Sequence, residues 1–234
     1  MPTPEGELFL GYATRILALG DEATARLRAP TLGGVVRIAL PEEVALATLS
    51  SALGQFRRAH PGVSLDVLVD ETAIVEPLWR GSELDVMVGL PTAITGEAVT
   101  MWSVGLRWVC GLGYEPDGDG PLDLVVFAEP CAWRKRMLDA LTAAGCAWRI
   151  AFTSRSVAAV QAAVENGLGI TLLTPECVRP ATMRPLPAAL RLSEPLMVQY
   201  GLYAREDRSV VVDAVVRVLL QGIPGYAFSD AKAV

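Results

Sequence analysis

The stretch Val35–Pro61, VVRIALPEEVALATLSSALGQFRRAHP, decides the fold. Val35 to Leu40 is a short, mostly apolar run with β-branched residues, which suits a buried strand. The run stops at Pro41, and a helical pattern begins at once. Val44, Leu46, Ala47, Leu49, Ala52, Leu53 and Phe56 recur at helical spacing, and Ser50, Ser51, Gln55 and Arg57 fall mostly on the other side. Arg57, Arg58 and His60 crowd the last turn, where cations suit the negative end of the helix dipole. Pro61-Gly62 then ends the helix. A strand therefore runs directly into a helix through Pro41-Glu42-Glu43. In an open parallel sheet, such turns face the ligand crevice. Pro41 suits the first helical turn, and Glu42 and Glu43 suit the positive end of its dipole. The two glutamates either stabilise the helix start or form one wall of a binding site.

Outward from this stretch the pattern repeats. Thr3-Pro4-Glu5 carries the signature of a helix start, and the helical pattern runs to about Arg28. Leu8, Tyr12, Ile16, Leu19, Ala23 and Leu27 form its apolar stripe, and PTLGG at residues 30–34 reads as a linker. Ser64 to Val69 reads as a strand, Ile74 to Trp79 as a short helix, and Leu84 to Leu90 as a third strand. This is β-α-β-α-β, the pattern of a parallel sheet. Val99 to Gly113 breaks the rhythm as a long, Trp-containing strand that crosses between subdomains. A second α/β series follows: strand 122–128, helix 132–144, strand 148–153, helix 157–165 and strand 170–173. Pro175 to Pro187 reads as Pro-rich loop, Leu196 to Ala204 as a returning strand, and Arg208 to Leu220 as a last helix. Two α/β halves joined by two crossing strands give an α/β fold of the type II periplasmic-binding-protein kind. It consists of two Rossmann-like subdomains preceded by a linker helix.

Composition narrows the function classes. The chain has 234 residues, a net charge of -6 and 52% hydrophobic content. Its pI of about 4.9 argues against nucleic-acid binding by this piece itself. One histidine and four cysteines (Cys110, Cys131, Cys146 and Cys177) without a CxxC pair leave no metal site to expect. The cysteine spacing fits reduced thiols. The first ten residues lack a basic n-region, and no apolar run is long enough for a bilayer, so a cytoplasmic location is expected. There is no GxSxG elbow, HExxH, Walker loop or strand-to-helix GxGxxG. No constellation compels a reaction. Binding without catalysis, and without a cofactor, is the expectation.

Several stretches are similar to the LysR-type transcriptional regulators: TPEGELFLGYATRILALGDEA at 3–23, LGGVVRIALPEEVA at 32–45, FRRAHPGVSLDV at 56–67 and LWRGSELDVMVG at 78–89. The later VVFAEPCAWRKRMLDAL, WRIAFTS and SVAAVQAAVENGLGITLLT resemble a branch of the same family. The resemblance covers nearly the whole chain. It implies a linker and dimerisation helix at 1–30, regulatory subdomain I at 31–105 with 197–226, subdomain II at 106–196, and a tail at 227–234. It implies a homodimer or homotetramer that contacts DNA only through a winged helix not present here, and no membrane.

The resemblance also places a small-molecule effector between the two lobes. The strand ends that face it are Pro41, Glu42 and Glu43; Val88 and Gly89; Trp108 on the crossing strand; and Phe127, Pro130 and Cys131. Phe152, Thr153, Ser154 and Ser156 follow at another strand-to-helix turn, and Thr171 begins the next strand. Each is equally open to plain packing or capping. Cys131, at a helix start, would have a lowered thiol pKa if exposed. The family's first polar contact is a Ser or Thr at the turn after the first strand, and this sequence departs there with Pro41-Glu42-Glu43. A helix start attracts anions, and two carboxylates already occupy that field. A neutral, cationic or largely apolar effector is therefore expected. The alternatives are a cytoplasmic solute-binding protein of the same fold, which would need export, or an enzyme, which would need an acid–base pair or a cleft lysine that Lys135 and Lys232 do not supply.

Overall fold

The structure, a computed structural model, describes residues 3, 6, 9, 12, 13, 16, 17, 20, 32–48, 53–115, 120–186 and 196–223. The chain divides into two compact units. The smaller comprises residues 1–37, 48–66 and 206–234, and the larger residues 38–47 and 67–205.

In the smaller unit the described positions 6, 9, 12, 13, 16, 17 and 20 are helical. Thr3 Oγ1 accepts the Gly6 N–H at 3.2 Å, the expected cap. Phe9, Tyr12, Ile16 and Leu17 are exposed there; Leu8, Leu19, Ala23 and Leu27 lie outside the described residues. Strands β1 (Gly34–Leu40) and β2 (Val63–Val69) begin in this unit. Between them lie α1 (Glu42–Thr48) and α2 (Gly54–Ala59). His60 closes α2, and its ring lies 4.7 Å from that of Phe56. The last helix, α6 (Val210–Gln221), buries Val211, Val212, Val215, Val216, Leu219 and Leu220, the one-sided pattern of an amphipathic helix.

Most strand residues belong to the larger unit. After β2 come α3 (Thr72–Arg80), β3 (Val86–Gly89) and the long β4 (Thr100–Gly111). They are followed by β5 (Leu122–Phe127), α4 (Ala132–Ala143), β6 (Trp148–Ser154), α5 (Val157–Glu165), β7 (Thr171–Leu173), β8 (Met183–Pro185) and β9 (Leu196–Ala204). The main sheet runs in the order β2-β1-β3-β9-β4-β7, with β8 also on β4, and β5-β6 form a second sheet. β1 pairs with β3 in parallel, through Ile38–Val86 and Ala39–Met87, and β5 pairs with β6 in parallel. Parallel pairing in each sheet agrees with the parallel arrangement expected from the β-α-β pattern. β9 is antiparallel to β3 and to the first half of β4, whereas the second half of β4 pairs with β7 and β8. One strand thus belongs to two surroundings, as its length implies. β8 corrects the reading of residues 175–187 as loop. Three residues ending in Pro185 carry no local strand signal, and the edge of β4 alone recruits them.

One core cluster joins Ala39, Val75, Trp79, Leu84, Met87, Ile94 and Tyr203. Arg205 lies over the Trp79 ring at 3.8 Å and donates to the Leu84 carbonyl at 3.1 Å, so a cation seals its edge. A second group of fully buried chains, Leu124, Met137, Leu141, Ile170 and Leu172, belongs to β5, α4, β7 and the β7 approach. Each such side chain contributes roughly 1.5–3 kcal/mol.

Candidate functional site

The site is built from strand-to-helix turns of the larger unit. At the first, the buried Pro41 places its carbonyl on the Ala45 N–H at 2.9 Å. Pro41 therefore precedes the helix rather than sitting inside its first turn. Glu42 and Glu43 are the first two helical residues, and their carboxylates find different partners.

Glu42 Oε2 accepts the backbone N–H of Val157 at 2.8 Å, across 115 positions of sequence. Val157 is the first residue of α5, and its N-cap, Ser156, makes no side-chain cap bond. Ser154 Oγ takes the Ser156 N–H instead, at 3.1 Å. The first turn of a helix leaves N–H groups without intrahelical partners and a positive field. Here a carboxylate from another element fills that role. The structure thus brings Glu42 together with Ser154 and Ser156.

Glu43 Oε1 accepts the Tyr200 hydroxyl at 2.5 Å. Tyr200 is on β9 and 1% exposed. Trp133, from α4, acts on the Tyr200 phenol in the opposite sense to the burial that raises it. Trp133 packs edge-on to Phe127 at 5.5 Å, and Trp102 lies 5.7 Å from Tyr200. Burial pushes the Glu43 carboxyl above the ordinary carboxylate range, while the Tyr200 hydrogen bond works the other way. Burial and the Glu43 charge hold the Tyr200 phenol well above its usual value.

A third carboxylate, Glu71, stands at the turn from β2 to α3. Its N–H donates to Asp70 Oδ1 at 2.8 Å, and its carbonyl accepts from Ile74 and Val75. Burial, then the charges of Glu43 and Asp70, push the Glu71 carboxyl up to about 7, against the pull of Arg155. Next to it, Thr72 Oγ1 accepts the Leu90 N–H at 3.1 Å. Gly89 is needed for this approach, because a Cβ there would meet Thr72 Oγ1 at 2.7 Å and Ile94 at 2.9 Å.

Of the other sequence-derived positions, Val88, Trp108, Phe127 and Thr171 are buried in the packed interior. The Trp108 indole N–H finds no partner among the described residues. Phe152, Thr153 and Ser154 lie on β6 opposite Val125, Val126 and Phe127; Thr153 is exposed and Phe152 half-buried. Pro130 follows a cis peptide bond. Cys131 is the N-cap of α4 without a side-chain cap bond. Burial pushes its thiol up to about 11, so the lowered value expected for an exposed thiol at a helix start does not arise. Cys177 is likewise pushed up to about 11 by burial, and all four cysteines are unpaired. No group of three or more His, Cys, Asp or Glu among the described residues could hold a metal ion. Among the same residues, no helix is long and apolar enough to cross a membrane.

Tyr200, Trp133 and Glu71 were not singled out from sequence. Glu71 follows Asp70 at a strand-to-helix turn, the position that drew attention to Glu42, and the same logic reaches it. A tyrosine inside the apolar strand LMVQYGLYA and a tryptophan inside a helix give no such signal.

Residues 30–224 match the family model described as LysR substrate binding domain. The chain is 31% identical over 178 residues to the HTH-type transcriptional regulator PecT of Dickeya dadantii (strain 3937), covering 76% of this chain and 56% of PecT. It is 30% identical over 207 residues to the HTH-type transcriptional regulator DgdR of Burkholderia cepacia, covering 88% of this chain and 69% of DgdR. The chain thus spans little more than half of PecT. Among solved structures, the bromide-bound regulatory domain of HypT from Salmonella typhimurium superposes with a TM-score of 0.66 at 18% identity, over 82% of this chain and 96% of that one. The CcmR regulatory domain of Synechocystis PCC6803 in complex with 2-PG superposes with a TM-score of 0.60 at 15% identity, over 80% and 95%. The chain belongs to the LysR family of transcriptional regulators, and it carries that family's effector-binding domain from residue 30 onward.

Proposed function

We propose that this chain is the sensing part of a transcription regulator, and that a small neutral or cationic molecule binds beside Glu42, Glu43 and Glu71. The lobes expected at 31–105 with 197–226 and at 106–196 would close on it. The effector would then shift the balance between two arrangements of a homo-oligomer that carries DNA-binding heads. Such coupling is typically ~1–3 kcal/mol. The observation that carries this reading is the meeting of the β1–α1 and β6–α5 turns through Glu42 and Val157. Two strand-to-helix turns facing one another make a ligand crevice in this class of fold. The solved relative CcmR, whose regulatory domain is in complex with 2-PG, shows such a domain with a small molecule bound.

Three carboxylates set the ligand class. Glu43 and Glu71 both hold protons more tightly than ordinary carboxyls. Glu71, pushed up to about 7, is partly protonated near neutrality and so donates as well as accepts, which suits a neutral polar ligand. A cation would instead favour the ionised forms and release protons on binding. Another simple carboxylate would add like charge to the cluster.

A thermal-shift screen of acidic, neutral and amine metabolites tests this, since a ligand of the native form alone raises its apparent stability. The expected hits are neutral or amine compounds, with weaker response after Glu42 and Glu43 are both replaced by Gln. Hits confined to carboxylates, or tighter amine binding to the double variant, would overturn the assignment.

A further inference from the structure

We propose that Glu42 is a built-in latch: its carboxylate occupies the start of α5, keeps the two turns together in the absence of ligand, and bars acidic molecules from that helix end. The inference deepens the reading of the site given above and names its regulation.

Three observations carry it. The contact is long-range, a side chain of α1 on the first N–H of α5 at 2.8 Å. The local residues do not compete for that N–H. Ser156 makes no cap bond, and the Ser154 hydroxyl is engaged by the Ser156 N–H. The helix is long enough, at 9 residues, to present a real dipole, and a carboxylate is the group that its amino end attracts. Glu43 supports the same turn, because Tyr200 of β9 donates to it. The turn after β1 is thereby tied both to the start of α5 and, through Tyr200, to β9. An anion carried by a ligand would have to displace Glu42 to reach the Val157 N–H. A neutral or cationic ligand need not. Such a ligand would act by pairing with the latch or drawing it off the helix end.

Two substitutions separate the partners. E42A removes the carboxylate and leaves the donor. V157P removes the donor and leaves the carboxylate. Pro is favoured at the first position of a helix, and Ser156, at φ -87° and ψ 128°, already has the extended backbone required before Pro. Acetate serves as the probe, against chloride at equal ionic strength. At about 0.1 M, acetate should raise the Tm of E42A by about 2 °C or more, and leave wild type and V157P within about 0.5 °C of their chloride values. Equal responses in all three proteins, or none in E42A, would overturn the latch. Wild type supplies a second readout that survives failure of either variant to fold. The Val157 amide should exchange at least about 10-fold more slowly than an unprotected amide. Exchange at the unprotected rate would overturn the proposal without any variant. A protein that passes these tests but answers to no metabolite keeps the latch and loses the effector reading. One that binds a metabolite but fails them keeps the effector and loses the latch.

Discussion

Two turns of the same kind, strand into helix, end up with opposite chemistry. The one after β1 offers carboxylates, Glu42 and Glu43; the one after β6 offers hydroxyls and a backbone donor, Ser154, Ser156 and Val157. Every helix start in an α/β sheet exposes N–H groups. Such an end commonly waits for a ligand's anion, but here another turn of the chain supplies it. The difference teaches that a binding crevice can be charged against one class of ligand by its own wall. It also separates two glutamates that are neighbours in sequence. Glu42 has a backbone partner at a helix end, whereas Glu43 is bonded to a buried phenol.

The largest effect on this contrast should come from Tyr200. Y200F leaves Glu43 buried without its donor, which should cost about 2 kcal/mol at pH 8, read from urea midpoints. A loss below roughly 0.5 kcal/mol would show that Glu43 does not depend on the phenol. Next is E42A, which removes a charged partner from a helix start and should cost about 1 kcal/mol. An unchanged midpoint would erase the distinction between the two glutamates.

The third effect depends on pH. Glu71 titrates at about 7 in the folded protein, against an ordinary 4.5. The folded state thus binds the proton more tightly than the unfolded one. That contribution to stability is complete below 4.5 and is lost as pH rises through 7. Glu43, Asp70 and Arg155 are the charged groups that act on it. E71Q cannot ionise, so it should be more stable than wild type at pH 8 by on the order of 1–2 kcal/mol, allowing for partial solvent access, and no more stable near pH 4. A gain that persists at pH 4 would remove ionisation as its cause. The smallest effect belongs to S154A, which takes the acceptor from the Ser156 N–H and should cost about 0.5–1 kcal/mol. A cost as large as that of E42A would show that the Ser154 hydroxyl matters to the start of α5 as much as the Glu42 carboxylate does.

Much of this fold was legible in the sequence, because periodicity speaks where one face of an element is buried. The runs 35–40, 84–90, 122–128 and 148–153 become strands that enter parallel pairs, as the β-α-β pattern implies. β8 was not legible. Its pairing with β4 is decided by a strand more than seventy residues away, and nothing in Met183-Arg184-Pro185 reports it. At the site, strand-end reasoning reached Glu42, Glu43, Ser154 and Ser156, since topology alone puts such turns on one side of a sheet. It did not separate them from Val88, Trp108 and Thr171, which occupy similar strands yet point their bulk into packed interior. Tyr200 was illegible for the converse reason. A buried strand tyrosine reads as core until its hydroxyl is seen on Glu43.

The most direct measurement is hydrogen exchange of the peptide spanning Ser154–Gln161, with and without the best neutral or amine hit from the metabolite screen. A changed exchange rate at the Val157 amide, with other helix starts unaltered, is the predicted result. A ligand that binds tightly and leaves that amide untouched would contradict the placement of the sensing site.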